Sequence, residues 1–450
     1  MRRWLVALAI LLAVPAGAQE PLAQPRPAPT PEASQPATSG GQAGIAPDAV
    51  YLVTMGQGDE IWERFGHNFL AVPDPATGGH IAYNWGVFDF AAPDFLSRFL
   101  LGDTRYWMQG DDLAAVLQYY QRFNRSITLQ RLNLTPTQVD SLRQFLAWNA
   151  LPENRYYRYD YFRDNCSTRL RDALDRALGG ALQQQTRNRI TNLTYRNESV
   201  RLTDEAPAAQ LGINVALGQP ADVPLSAWDA MFIPMRMQEY IREVAVPNAE
   251  GAPVPLVAEE QVVFRAQRAP ELTRAPGMMG EHATAGLLIA ALIAVLGWYT
   301  ALGHEKVRVA FGAAGALWGA FAGMLGIVVL LAWVATQHTF WYRNENLLHL
   351  NPFSIGLAVL LPLSLRRPSW WVATRVVAYG VAAVSCLGAA LKFMPWMMQN
   401  NWTVIVFALP IHLALAWAVL VVSRGELRVA RGEPRRPGDR RRARRLSEKR

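Results

Sequence analysis

The sequence predicts an α+β domain outside the cytoplasm, followed by a membrane domain of five transmembrane helices. Three observations predict it. Apolar segments run at about 283–302, 309–335, 347–365, 369–391 and 402–423, each near the ~20 residues that span a bilayer. The N-terminus carries a secretory leader: Arg2 and Arg3, an apolar run from Trp4 to Val14, and the cleavage-like Ala16-Gly17-Ala18. Between leader and spans, residues 48–272 mix a strand–turn–strand pattern with helical periodicities.

Each element has a local reason. Residues 1–18 read as a signal peptide, with an uncleaved anchor helix as the alternative. Residues 19–47 are rich in Pro, Ala, Gln, Gly and Ser and form a disordered linker that cannot build a core. In the 48–272 domain, strands are expected at 50–55, 66–72 and 80–90. The turn cluster Asp74-Pro75-Ala76-Thr77-Gly78-Gly79 joins the last two as a hairpin. Helices are expected at 91–101, 111–123, 135–149 and 164–178, and helical structure across 219–243. The membrane domain covers 273–423. Its third span is interrupted by Asn351-Pro352. Lys306, Arg308, Arg366, Arg367 and the 424–450 tail fall on one side of a five-span arrangement, and only Arg343 and Lys392 on the other. The positive-inside bias then puts the tail in the cytoplasm and the 48–272 domain on the far side of the membrane.

The net charge of +8 is local. The twelve Lys/Arg and four Asp/Glu of residues 424–450 account for all of it, and the rest of the chain is neutral. A nucleic-acid-binding body is not indicated. The two cysteines, Cys166 and Cys386, lie in different regions, and no disulfide or metal spacing is present. No metal and no cofactor are expected.

Cys166 is the candidate nucleophile. It opens an amphipathic helix whose apolar face is Leu170, Ala173, Leu174, Ala177 and Leu178, with Asp164 or Asn165 as N-cap. The helix dipole and unpaired N–H groups at that end favour thiolate. An idle thiol outside the cytoplasm is a liability. The domain offers two histidines as base, His67 and His80. If the hairpin turns at Ala76-Thr77, His67 lies opposite Gly86. Asn84 is then its diagonal neighbour, with Cα atoms about 7–8 Å apart. His80 is about 20 Å away along the strand. Asn84 is therefore the better orienting residue and Asp89 the weaker. Each residue also has a plain reading: Cys166 as an inert buried thiol, His67 as a structural histidine, His80 as a surface turn residue, Asn84 as an ordinary strand residue. Tyr83, Trp85 and Phe88 read as core or cleft wall. Cys386 sits in a small-residue helix-packing face, and His349 and His412 are polar groups in or near spans.

The segments Gly66-His67-Asn68, Tyr83-Asn84-Trp85-Gly86-Val87-Phe88-Asp89-Phe90, Phe99-Leu100-Leu101-Gly102-Asp103-Thr104-Arg105-Tyr106, Asn154-Arg155-Tyr156-Tyr157-Arg158-Tyr159-Asp160-Tyr161 and Asp164-Asn165-Cys166-Ser167-Thr168-Arg169 resemble the Lnb family of bacterial lipoprotein N-acyltransferases. Leu217-Gly218-Gln219-Pro220, Met231-Phe232-Ile233-Pro234 and Asn344-Glu345-Asn346-Leu347-Leu348 extend the resemblance. It implies a circularly permuted papain-like periplasmic domain, similar to lecithin–retinol acyltransferase-like proteins, in which the His strand precedes the Cys helix. His67 and Cys166 match the family's motifs directly, and Asn84 matches by position. The implied reaction moves an acyl chain from a phospholipid donor, through a Cys thioester, to the N-terminal amine of a lipoprotein acceptor. Two other readings stand beside it: a papain-like cysteine peptidase or amidase acting on cell-wall peptides, and a non-enzymatic envelope protein. The sequence leaves the oligomeric state open.

Overall fold

The computed structural model describes residues 45–89 and 91–430. The signal peptide at 1–18, nearly all of the 19–47 linker and the tail beyond 430 lie outside the described residues. The chain divides into two compact units. One holds the residues up to Leu211 together with Val223–Ala275, the other Gly212–Asp222 and the residues from Pro276 onward.

The first unit is a mixed α+β domain built on an antiparallel sheet. Its strands are β1 (Tyr51–Met55), β2 (His67–Pro73), β3 (His80–Val87), β4 (Arg105–Asp112), β5 (Ile127–Leu132), β6 (Tyr156–Arg158) and, after the small hairpin β7 (Ala245–Pro247) and β8 (Pro253–Pro255), β9 (Val257–Phe264). The sheet order is β6-β4-β3-β2-β1-β5-β9. β1 lies inside the sheet between β2 and β5 and is buried throughout, which explains its unbroken Tyr-Leu-Val-Thr-Met run. The helices are α1 (Phe95–Leu101), α2 (Leu113–Arg122), α3 (Pro136–Asn149), α4 (Cys166–Ala177), α5 (Ala181–Thr186), α6 (Tyr195–Leu202), α7 (Pro207–Ala216, whose residues from Gly212 belong to the second unit), α8 (Ala227–Ala230) and α9 (Pro234–Tyr240). α2 lays Leu113 and Leu117 on a cluster formed by Tyr51, Val53, Met55, Phe69, Ala71 and Ile127.

The hairpin register is the expected one: Leu70 pairs with Tyr83, Ala71 with Ala82, Val72 with Ile81 and Pro73 with His80. The helical structure expected across 219–243 is present as short α and 3-10 pieces, divided where Pro224 and Pro234 break the ladder. Two expectations are corrected. The third strand ends at Val87 rather than 90. His80 is not a surface turn residue. It is 8% exposed, and its Nε2 lies 2.9 Å from the Ala49 carbonyl oxygen.

The second unit contains α10 (Met279–Ala301), α11 (Glu305–Ala335), α12 (Ile355–Arg366), α13 (Trp371–Leu391) and α14 (Trp402–Ala430). Among the described residues, four helices are long and apolar enough to cross a membrane. The segments Thr339–Leu348 and Pro352–Arg366, bent by 50°, make a fifth candidate span if they count as one. The break falls at Asn351-Pro352, where Asn351 accepts a hydrogen bond from Phe353 N and opens a new turn. α11 carries a stripe of Gly312, Gly315, Gly319, Gly323 and Gly326. Added Cβ atoms there would collide with Leu365, Leu361, Ser354, Ile355 and Leu350, so the stripe lets the broken segment lie directly on the α11 backbone. Cys386 is exposed. The packed face of α13 is Thr374, Ala378, Val381, Ser385 and Gly388 instead, one position off the face expected for the cysteine.

Candidate active site

Cys166 is the first residue of α4. Asn165 is the N-cap, its side chain accepting from Ser167 N and Thr168 N in a capping box with Thr168. Its Nδ2 donates to Tyr161 O and Phe232 O, both at 2.9 Å, and Ser167 Oγ donates to Met231 O at 2.6 Å. The turn that carries the thiol is therefore clamped from residues distant in sequence.

The strands beneath it open. β2 and β3 pair from Leu70 to Pro73 only, while β2 continues against β1 to His67. This leaves one edge of His67, Asn68 and Phe69 free of the β3 ladder. The pairing of β3 with β4 also slips between Trp85 and Val87. Gly86 is the extra residue, a bulge at φ +117° that a side chain would strain. A Cβ on Gly86 would lie 3.3 Å from Cys166 Cβ and 3.5 Å from His67 Cε1. Cys166 and the imidazole thus both approach the same glycine.

His67 Nε2 is 2.6 Å from Asn84 Oδ1. A carbonyl oxygen only accepts, so Nε2 carries the proton and Nδ1 keeps its lone pair. The ring also packs edge-on against Phe69, with centroids 4.9 Å apart. Asp89 is exposed and accepts from Ala91 N at 2.8 Å. That leaves Asn84, of the two orienting residues considered, as the one bonded to the ring.

Electrostatics correct one expectation. The helix end was expected to favour thiolate. Burial instead pushes the Cys166 thiol up to about 12, against the pull of the Ser167, Cys166 and Asn68 main-chain N–H groups and the Arg125 charge. Burial likewise holds His67 down at about 4, from an ordinary 6.5, with the Asn84 bond opposing and Arg125 adding to the depression. Desolvation outweighs local dipoles, and at neutral pH the resting pair is a thiol and a neutral imidazole.

Two pH effects follow. Cys166 alkylation by iodoacetamide, read by intact mass, should climb without a plateau from about pH 5 to about pH 9, because thiolate remains scarce over that range. A preformed ion pair would give a plateau. His67, whose folded-state value lies below its unfolded value, leaves the unfolded chain to bind the proton first. Its contribution to stability is whole above pH 6.5 and is lost as pH falls toward about 4. Urea midpoints of the full chain should drop across that window.

Residues 39–201 match the family model described as the Lnb N-terminal periplasmic domain. This stretch is an Lnb periplasmic domain. No curated protein and no solved structure matches the chain.

The Lnb domain holds further residues around the thiol that sequence reasoning passed over. Gly86 had a signal, a glycine inside a strand pattern. The Asn68 N–H had none, since its freedom comes from the parting of β2 and β3. Tyr106, Tyr120, Tyr157 and Tyr159 all lie within electrostatic range of the Cys166 sulfur, and burial raises the value of each. Among the described residues, the Tyr157 hydroxyl is buried with no hydrogen-bond partner. The Arg169 guanidinium lies over its ring at 4.4 Å. No cluster of His, Cys, Asp or Glu suited to a metal ion occurs among the described residues.

Proposed function

We propose that the protein is an envelope thiol acyltransferase, with a permuted papain-like Lnb domain tethered at the inner membrane by five spans and a cytoplasmic C-terminus. The observation that carries the reading is the approach of both Cys166 and His67 to Gly86, with Asn84 bonded to His67 Nε2. The run of apolar helices adds to it, because an enzyme working on two lipid substrates gains from tethering where both lie.

Because both groups rest neutral, His67 acts as general base during attack. Nδ1 takes the thiol proton as sulfur bonds to an ester carbonyl carbon of a phospholipid. The oxyanion receives the Cys166 N–H and the Tyr157 hydroxyl. The carbon–oxygen bond to glycerol breaks, the leaving oxygen takes the proton from His67, and a lysophospholipid departs. The acceptor amine, at the N-terminus of a diacylglyceryl-cysteine lipoprotein, then attacks the thioester. Its proton passes to His67 and on to sulfur as the carbon–sulfur bond breaks.

The test uses the full chain in vesicles containing phosphatidylethanolamine, with a diacylglyceryl-cysteinyl peptide as acceptor. The peptide should gain one acyl group by mass as lysophospholipid appears. Lysophospholipid and free fatty acid without acylated peptide would mean hydrolysis and would overturn the transferase reading.

Tyr157→Phe separates chemistry from packing. Removing a buried unpaired hydroxyl should leave the melting temperature equal or higher. Loss of an oxyanion donor should slow acylation of Cys166 by about 10²-fold. An unchanged acylation rate would exclude Tyr157 from the oxyanion site.

A further inference from the structure

α1 does not behave like a helix of a water-soluble domain. Its sequence is Phe-Leu-Ser-Arg-Phe-Leu-Leu, and none of its residues is buried. Leu96 is 60% exposed, Phe99 42% and Leu101 43%. A surface helix ordinarily turns such residues inward. The one charge, Arg98, folds back, with Nη2 3.3 Å from Asp103 and Nη1 3.7 Å from Asp94. What remains is an apolar surface with its cation neutralised, suited to hydrocarbon and not to an anionic partner.

The apolar surface continues inward as a line of rings. Phe99 stacks near-parallel with Phe95 at 6.2 Å, and Phe95 with Phe88 at 5.7 Å. Phe88 meets Tyr106 at 4.7 Å, and Tyr106 meets Tyr159 at 4.1 Å. The last two tyrosines are among those within electrostatic range of the Cys166 sulfur. Laid end to end, these steps are of the same order as one leaflet's acyl chain, about 15 Å or half the hydrocarbon core. Stacked at the α1 end and edge-on at the tyrosine end, this line of rings offers dispersion contact to an extended chain.

We propose that α1 and the ring line Phe99–Phe95–Phe88–Tyr106–Tyr159 form the acyl-chain site of the donor lipid. Leu96 and Phe99 receive the chain from the bilayer, and the tyrosines bring its carbonyl end to Cys166. This rests on the acyltransferase reading. It adds the prediction that selectivity for long chains resides in the Lnb domain.

The experiment has two arms. In the first, Cys166→Ala full-length protein in vesicles is irradiated with a phospholipid carrying a diazirine at the end of one acyl chain. Adducts should map to residues 91–108. Adducts confined to the spans from residue 279 onward would overturn the proposal. This arm needs no turnover, so it stands even if the acyl-transfer reading fails. Absent acylation of wild-type Cys166 by the same lipid would instead count against that reading alone. In the second arm, Leu96→Asn/Phe99→Asn protein is compared with wild type for Cys166 acylation by palmitoyl and butyryl donors. The preference for palmitoyl should shrink by roughly tenfold or more, since each methylene loses its apolar contact. Equal slowing with both donors, or no slowing with either, would overturn the proposal.

Discussion

On the proposed thiol mechanism, a Cys166→Ala chain should form no acyl-enzyme and should transfer acyl groups to the peptide at least about 10⁴-fold more slowly than wild type, the scale on which loss of a covalent nucleophile is felt. The fold should survive. The side chain is small and 9% exposed. The Asn165 cap and the Ser167 and Asn165 clamps on Met231 and Phe232 do not involve its sulfur. Alanine is also a good helix former in the first turn. The melting temperature should therefore shift by no more than about 1 kcal/mol of stability corresponds to, which separates lost chemistry from lost structure. Intact mass after incubation with phosphatidylethanolamine reads the acyl-enzyme, and peptide mass reads the transfer. Undiminished transfer by Cys166→Ala would end the thiol mechanism, whatever the state of His67.

Lys392→Met should destabilise the second unit by about 3–5 kcal/mol, the usual cost of leaving one buried charge without its partner. Lys392 and Glu345 pair at 2.8 Å with side chains 4% and 8% exposed. The remaining Nζ donors go to Met397 O at 3.0 Å and Gln399 O at 2.5 Å. Glu345 Oε1 in turn accepts from Gln399 N at 3.0 Å. The Gln399 side chain closes the knot, accepting from Glu345 N and donating to Leu217 O and Asn344 Oδ1. Three stretches far apart in sequence are thus held by one ion pair. The double variant Lys392→Met/Glu345→Gln should recover much of the loss, because no naked carboxylate remains. Thermal melts followed by tryptophan fluorescence in detergent would read both. A single variant no less stable than the double would show that the pair contributes nothing.

The parts of the site that follow from short-range rules were legible. Asp74-Pro75-Ala76-Thr77-Gly78-Gly79 sets the hairpin turn, the turn sets the register, and the register sets Asn84 beside His67. The face Leu170, Ala173, Leu174 and Leu178 marks α4 and puts Cys166 at its head. Less of the sheet was legible. β9 has mostly exposed side chains and lacks alternation, so only its pairing with β5 makes it a strand. β4 runs straight into α2 at Asp112, without an intervening turn cluster.

The chain's own order of residues determined the mixed domain ahead of the apolar helices, the hairpin that joins His67 to Asn84, and the helix start that carries Cys166. Each depends on neighbours within a few residues or on one turn. Tertiary structure alone decided how the thiol rests. The parting of β2 from β3 and the bulge at Gly86 shape the surroundings of Cys166, and its burial in the folded chain pushes the thiol up to about 12 despite the helix end. Desolvation sums over everything packed around a group, including residues distant in sequence such as Gly86. A helix dipole belongs to one segment and can be read there, whereas the burial that opposes it exists only once the chain has closed around it.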